Sequence, residues 1–262
     1  MKRSAMWVTE LAGLVTGAAI APLFGVGSLL RRARFFHPEG ACYDADVCAL
    51  TTAAKYRPLQ QRLCGQALIR LSSAWWRDEK EWPDVLGCAV RFGAVEPPEN
   101  SPENSPGGTA QDILFATIPY PILTPLGPLF TQVHDFFANT YWGVAPFEID
   151  EVGLVRLRLV PQPLPPQPER SRQNKLDDAV AARAAALDVW IKPLCPAGGW
   201  IPLVEIRLLK KRPVNQEALH FSPFRTGCGV RPRGFVHAMR RPVYALSQVL
   251  RPTHAASSGS DG

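Results

Sequence analysis

The chain has 262 residues, enough for one large domain and a squeeze for two; 46% hydrophobic and 20% charged residues is the balance of a globular protein. Twenty-six prolines and 20 glycines predict many turns and few long helices, hence a β-rich fold. The net charge of +6 comes from basic residues scattered singly and in pairs, which argues against a nucleic-acid binder.

Residues 1–32 form a unit of their own. Leu11 to Leu30 carries no charge and is flanked by Lys2, Arg3, Arg31 and Arg32, so it is long enough to span a bilayer. Gly13, Gly17, Gly25 and Pro22 dilute it, which also suits an arm packed on the domain. The expectation is an apolar N-terminal helix, either a membrane anchor on the cytoplasmic side or a packing arm. It exceeds a signal-peptide h-region and lacks a plain cleavage site.

Short strand-like runs follow: Ala67 to Ser72, Leu86 to Phe92, Ile113 to Ile118, Val152 to Val160, Leu187 to Ile191 and Ile201 to Leu208. Partial alternation at Val152, Leu154, Leu157 and Leu159, and at Leu187, Val189 and Ile191, turns one face to a core. Such spacing predicts an antiparallel sheet that closes into a barrel. Between the runs, residues 96–108 repeat PENS and read as a surface loop. Residues 161–175 are proline-rich and read as an extended, solvated connector, and residues 252–262 as a disordered tail.

Cys42, Cys48, Cys64, Cys88, Cys195 and Cys228 include no C-x-x-C pair and no histidine at zinc-ligand spacing. Reduced, buried thiols are expected, the usage of a cytosolic protein. His134, His220, His237 and His254 stand in no motif and read as surface or structural residues. Phe136 and Phe137 suit a core or a pocket lining, and Trp75, Trp76 and Trp82, beside charges, suit a substrate mouth, a partner surface or a membrane-facing rim.

Three separated segments carry chemistry: Arg34-Phe-Phe-His37-Pro-Glu-Gly40, Arg70-Leu-Ser72, and Arg240-Arg-Pro-Val-Tyr244 running on to Arg251. In this order they resemble the catalase family, with its R-x-x-H-x-x-G segment, R-x-S strand and R-x-x-x-Y helix. The stretch Asp84-Val-Leu-Gly87-Cys-Ala89-Val-Arg-Phe92 is similar to the family's D-P-x-G-x-A-x-x-F strand, and Gln111-Asp112 matches weakly.

The resemblance implies an α+β fold, a catalase-like antiparallel β-barrel with flanking helices over residues 33–251, binding haem b. It assigns His37 as distal acid and base, Ser72 as its hydrogen-bond partner and Tyr244 as the iron ligand. Arg34, Arg70 and Arg251 would hold the propionates, and Arg240 the phenolate. The chemistry suits the residue types. A phenol ionises near pH 10, so a phenolate at neutral pH needs ferric iron and a nearby cation. Arginine's planar fork grips carboxylates while staying charged, and imidazole moves protons near neutrality.

The family's distal asparagine is missing: the matching stretch reads Phe115-Ala116-Thr117. The resemblance therefore implies a haem-dependent peroxidase or catalase-like oxidoreductase acting on hydrogen peroxide or organic hydroperoxides with a reducing co-substrate. Two alternatives are a hydroperoxide isomerase of the allene oxide synthase type and a non-catalytic haem-binding module. A homo-oligomer is compatible with the family, and no nucleic acid is expected as a partner.

Overall fold

A strand with one apolar face must hide it, and here eight strands do so by closing on one another. The structure is a computed structural model that describes residues 10–12, 14, 16, 40–76, 80–93, 110–120, 123, 126–167, 169–214, 219–235, 237 and 238. Its elements are β1 (Gly40–Ala49), α1 (Arg57–Leu63), β2 (Gly65–Ser73), β3 (Leu86–Phe92), β4 (Gln111–Ala116), α2 (Gly127–Phe130), β5 (Tyr141–Gly143), β6 (Phe147–Ile149), β7 (Gly153–Pro161), α3 (Arg172–Ala181), β8 (Ala186–Pro193), β9 (Ile201–Lys211) and β10 (Arg231–Pro232). The order β1-β2-β3-β4-β5-β7-β8-β9, with β9 back on β1, makes a closed antiparallel barrel. β6 continues the pairing along β7 beyond β5, and β10 pairs with β6.

Inside, alternate residues of every long strand meet: Ile69 and Leu71, Val90 and Phe92, Ile113 and Phe115, Leu157 and Leu159, Val189 and Ile191, Val204 and Ile206, all buried in one cluster. On β7 the core face is therefore Val155, Leu157 and Leu159, and Leu154 lies on the other face, out of phase with its predicted place. The six strand-like runs match β2, β3, β4, β7, β8 and β9. The strand β1 was not among the expected runs, although Tyr43, Ala45 and Val47 alternate into the core with Asp44 and Asp46 facing outward.

The proline-rich stretch 161–175 is not wholly an extended connector. Ser171 accepts a hydrogen bond from the Asn174 amide at 3.3 Å and starts α3. Leu176, Ala179 and Val180 of that helix enter the core, and Leu164 packs against it. Arg172 is buried, donating to the Val133 carbonyl at 2.7 Å and the Ser73 hydroxyl at 2.8 Å, with its guanidinium over the Phe136 ring. Prolines mask this helix in the sequence because they end at Pro168, before its cap. Phe136 and Phe137 join the core. All six cysteines are outside disulfides, but only Cys42, Cys88 and Cys228 are buried; Cys48, Cys64 and Cys195 are exposed, because each lies at or beyond a strand end.

Residues 219–232 lie along the outer face of β3 and β4 and are fastened there by charge. Asp112, fully buried, accepts from Arg91 Nε at 2.8 Å, Arg225 at 2.7 Å and the Ser222 amide at 2.8 Å. Gln111 donates to the Arg225 and Val230 carbonyls, at 3.0 and 3.1 Å, and accepts from the Val230 amide at 3.1 Å. A buried carboxylate with two cations and a backbone donor offsets its desolvation, whereas removing it strands the guanidiniums. Asp112→Ala is expected to destabilise the fold by about 3–5 kcal/mol in chemical denaturation, with the 219–232 segment the first to gain hydrogen exchange.

The Cys228 thiol donates to the Arg62 carbonyl, and burial pushes its pKa up to about 11. Since the folded chain keeps this proton more tightly than the unfolded one, the stabilisation is complete below pH 9 and fades as pH rises toward 11. The melting temperature should fall over that interval, and less steeply in Cys228→Ala than in the parent chain.

Candidate functional site

The barrel's outer face is set by the same alternation that fills its interior. Because antiparallel partners share a face, the registers Gly40↔Ser72, Ser72↔Gly87 and Gly87↔Ala116 put these four residues in one row across β1–β4. The neighbouring row is Cys42, Arg70, Ala89 and Leu114. Arg70 and Ser72, two residues apart on β2, thus project side by side, Ser72 between Gly40 and Gly87 and Arg70 between Cys42 and Ala89. Both are buried, at 4% and 5% exposure, although they face away from the barrel interior.

Gly40 is required by this crowding. A Cβ there would lie 2.7 Å from the Leu71 carbonyl oxygen, 2.8 Å from Ser72 Cβ and 2.9 Å from the guanidinium carbon of Arg70. The glycine that ends the first motif therefore brings β1 against both residues of the second. The stretch from Asp84 to Phe92 has an equally local reason. Asp84, fully buried, accepts from the Val85, Trp75 and Trp76 amides at 2.7, 3.1 and 3.4 Å and fixes the turn from β2 into β3. Burial, only partly opposed by these bonds, raises its pKa. β3 then pairs with β2 in the register that puts Gly87 beside Ser72 and Ala89 beside Arg70.

Of the stretch matched to the missing asparagine, Phe115 points into the core, and Thr117 accepts from the Leu86 amide and bonds Thr131. Ala116 alone shares the row of Ser72, so a methyl stands there. It packs with Ala74 and Val85 in a second small apolar cluster joined by Trp75, Ile118 and Val144. Trp76 and Trp82 meet edge to face at 5.1 Å, and Trp82 is exposed.

The C-terminal segment approaches the same face. After β10 the chain turns at Gly234, whose positive φ of 86° suits glycine, into helical residues Phe235, His237 and Ala238. His237 lies 5.1 Å from the Phe224 ring and lines a small recess with Asp112, Leu114, Val144, Phe147 and Pro232. Leu114 belongs to the row of Arg70, and His237 precedes Tyr244 by seven residues. Arg34, His37, Arg240, Tyr244 and Arg251 lie outside the described residues, as do most of 1–32, the PENS loop and the tail. Among the described residues no helix is long and apolar enough to cross a membrane. The Arg91–Asp112–Arg225 cluster went unnoticed in the sequence, because its members come from three distant segments.

The fold is shared with catalases. A crystal structure of a fungal catalase at 1.9 Å superposes with a TM-score of 0.55 at 11% sequence identity, over 86% of this chain. The chain spans 61% of that catalase's length. No family model matches the sequence. No curated protein matches it either. The likeness at this identity is one of fold: an α+β, catalase-like antiparallel β-barrel with flanking helices.

Gly40→Ala is expected to cost about 1–3 kcal/mol in chemical denaturation through overpacking against Arg70 and Ser72, whereas Gly199→Ala, with open space around it, should stay near zero.

Proposed function

We propose that the outer face of β1–β4 receives haem b, and that the chain is a catalase-like oxidoreductase acting as a peroxidase on hydrogen peroxide or organic hydroperoxides. The observation that carries this reading is the pair Arg70 and Ser72, buried side by side on a face otherwise flattened by Gly40, Gly87, Ala89 and Ala116. A planar ring bearing carboxylates matches a flat surface with a guanidinium at its margin, so the described residues fit the group.

The remaining donors are assigned by the resemblance alone. Tyr244 is the iron ligand, with Arg240 favouring its phenolate, and Arg34 and Arg251 join Arg70 at the propionates. His37 takes a proton from the peroxide and returns it to the departing oxygen, and the Ser72 hydroxyl fixes the imidazole's orientation. His37 stands three positions before Gly40, a span of at most about 11 Å, which keeps the imidazole within reach of the Ser72 neighbourhood. Haem bound there would supply a ferric centre at which a peroxide O–O bond is cleaved.

The methyl of Ala116 favours an organic hydroperoxide over rapid dismutation, since no amide in that row holds a second small peroxide. The same methyl supports a second reading, hydroperoxide isomerisation, which needs no reducing co-substrate. Analysis of products from a fatty-acid hydroperoxide separates the two.

Haem titration of the purified chain is the test. Wild type should take up one haem, Tyr244→Phe should change the ferric absorption spectrum, and Arg70→Leu should weaken uptake about tenfold. His37→Ala should keep the ferric spectrum's proximal signature and lose about 100-fold or more in peroxide turnover. An unchanged ferric spectrum in Tyr244→Phe overturns the proximal assignment, and absence of haem uptake overturns the whole reading.

A further inference from the structure

The row that begins at Gly40 continues past Ala116 and changes chemistry. The registers Ala116↔Trp142, Trp142↔Arg158 and Arg158↔Trp190 carry it across β5, β7 and β8. The Arg158 guanidinium lies 4.4 Å from the Trp200 ring, 5.1 Å from Trp190 and 5.9 Å from Trp142. One pleat along, Arg156 stands directly opposite Lys192. Lys192 lies 6.0 Å from the Trp200 ring, and Arg156 lies 4.6 Å from the Tyr120 ring.

None of these three cations forms an ion pair among the described residues. Like charges directly opposed on neighbouring strands are destabilising, and burial among the rings lowers the pKa of Arg158. The nearest acids on β8 and β9, Asp188 and Glu205, are engaged instead by Gln162, with Arg207 also on Glu205. An anion from outside is the missing partner.

Arg156 also donates to the Pro119 carbonyl at 2.5 Å, tying the patch to the connection after β4. That connection exposes Tyr120, Leu126, Leu129 and Phe130, with Leu129 at 78% and Phe130 at 65%. Uncompensated cations, half-buried tryptophans and protruding Leu and Phe side chains are together what an anionic membrane surface selects: headgroups for the cations, the interface for the rings and acyl chains for the apolar tips.

We propose that the β5–β7–β8 face, with residues Tyr120, Leu126, Leu129 and Phe130, docks on an anionic lipid surface. This is independent of the haem reading: it rests on a different part of the barrel. A single-stranded nucleic acid would also meet cations and rings, but it gives no reason for the exposed Leu126, Leu129 and Phe130.

The test is flotation of the purified full chain with phosphatidylcholine vesicles and with vesicles enriched in phosphatidylserine, at low and high salt. Expected is preferential binding to the anionic vesicles that salt weakens, reduced about tenfold or more by Arg156→Gln with Lys192→Gln, and further by Leu129→Asp with Phe130→Asp. Quenching of wild-type tryptophan fluorescence by brominated lipid reads the same contact without a variant. Equal binding to both vesicle types, unaltered binding of the folded Arg156/Lys192 variant, absence of quenching, or preference for a single-stranded oligonucleotide over the vesicles each overturns the proposal.

Discussion

Closure of the sheet is the constraint from which the rest descends. Once β9 pairs with β1, each strand has a partner on both sides, and every residue of the barrel must point either into the packed interior or away from it. Interior positions are then committed to volume, which Phe92, Phe115, Tyr141 and Leu159 help to fill. Part of the barrel's outer surface is covered by another segment of the chain.

Two devices provide that cover. Around Asp112, the charges of Arg91 and Arg225 bind residues 219–232 onto β3 and β4, so the chain is delivered to the outer face just before its C-terminal segment. At the other end, the β2–β3 turn held by Asp84 lines up Gly87 and Ala89 with Ser72 and Arg70. One interaction is ionic and the other a set of backbone amides around a single carboxylate. Both place a full hydrogen-bonding complement on a buried acid, which is why neither acid needs to be catalytic to be indispensable.

Much of the barrel was legible because its long strands announce themselves by apolar runs between turn residues. Those of two or three residues, β5, β6 and β10, carry no periodicity and take their place only through β4 and β7. The strand β1 alternates Tyr43, Ala45 and Val47 inward with Asp44 and Asp46 outward but has no continuous apolar run, so it was missed by a search for such runs, and α3 by the prolines before Ser171. On the site, Arg70-x-Ser72 could be read because a strand's period of two puts both on one face. The Asp112 cluster could not, since nothing in a linear chain links Arg91 to Arg225. The small-residue row was half legible: Gly40, Gly87 and Ala89 were noted as parts of motifs, but that they adjoin is a property of register.

Gly40 shows how two kinds of constancy can be told apart. Its nearest obstacle, at 2.7 Å, is the carbonyl oxygen of Leu71, part of the neighbouring strand's backbone. A descendant of this barrel, whatever it did, would be unable to grow a side chain at position 40 without prising β1 from β2. Persistence of that glycine among descendants would thus testify to architecture rather than to chemistry.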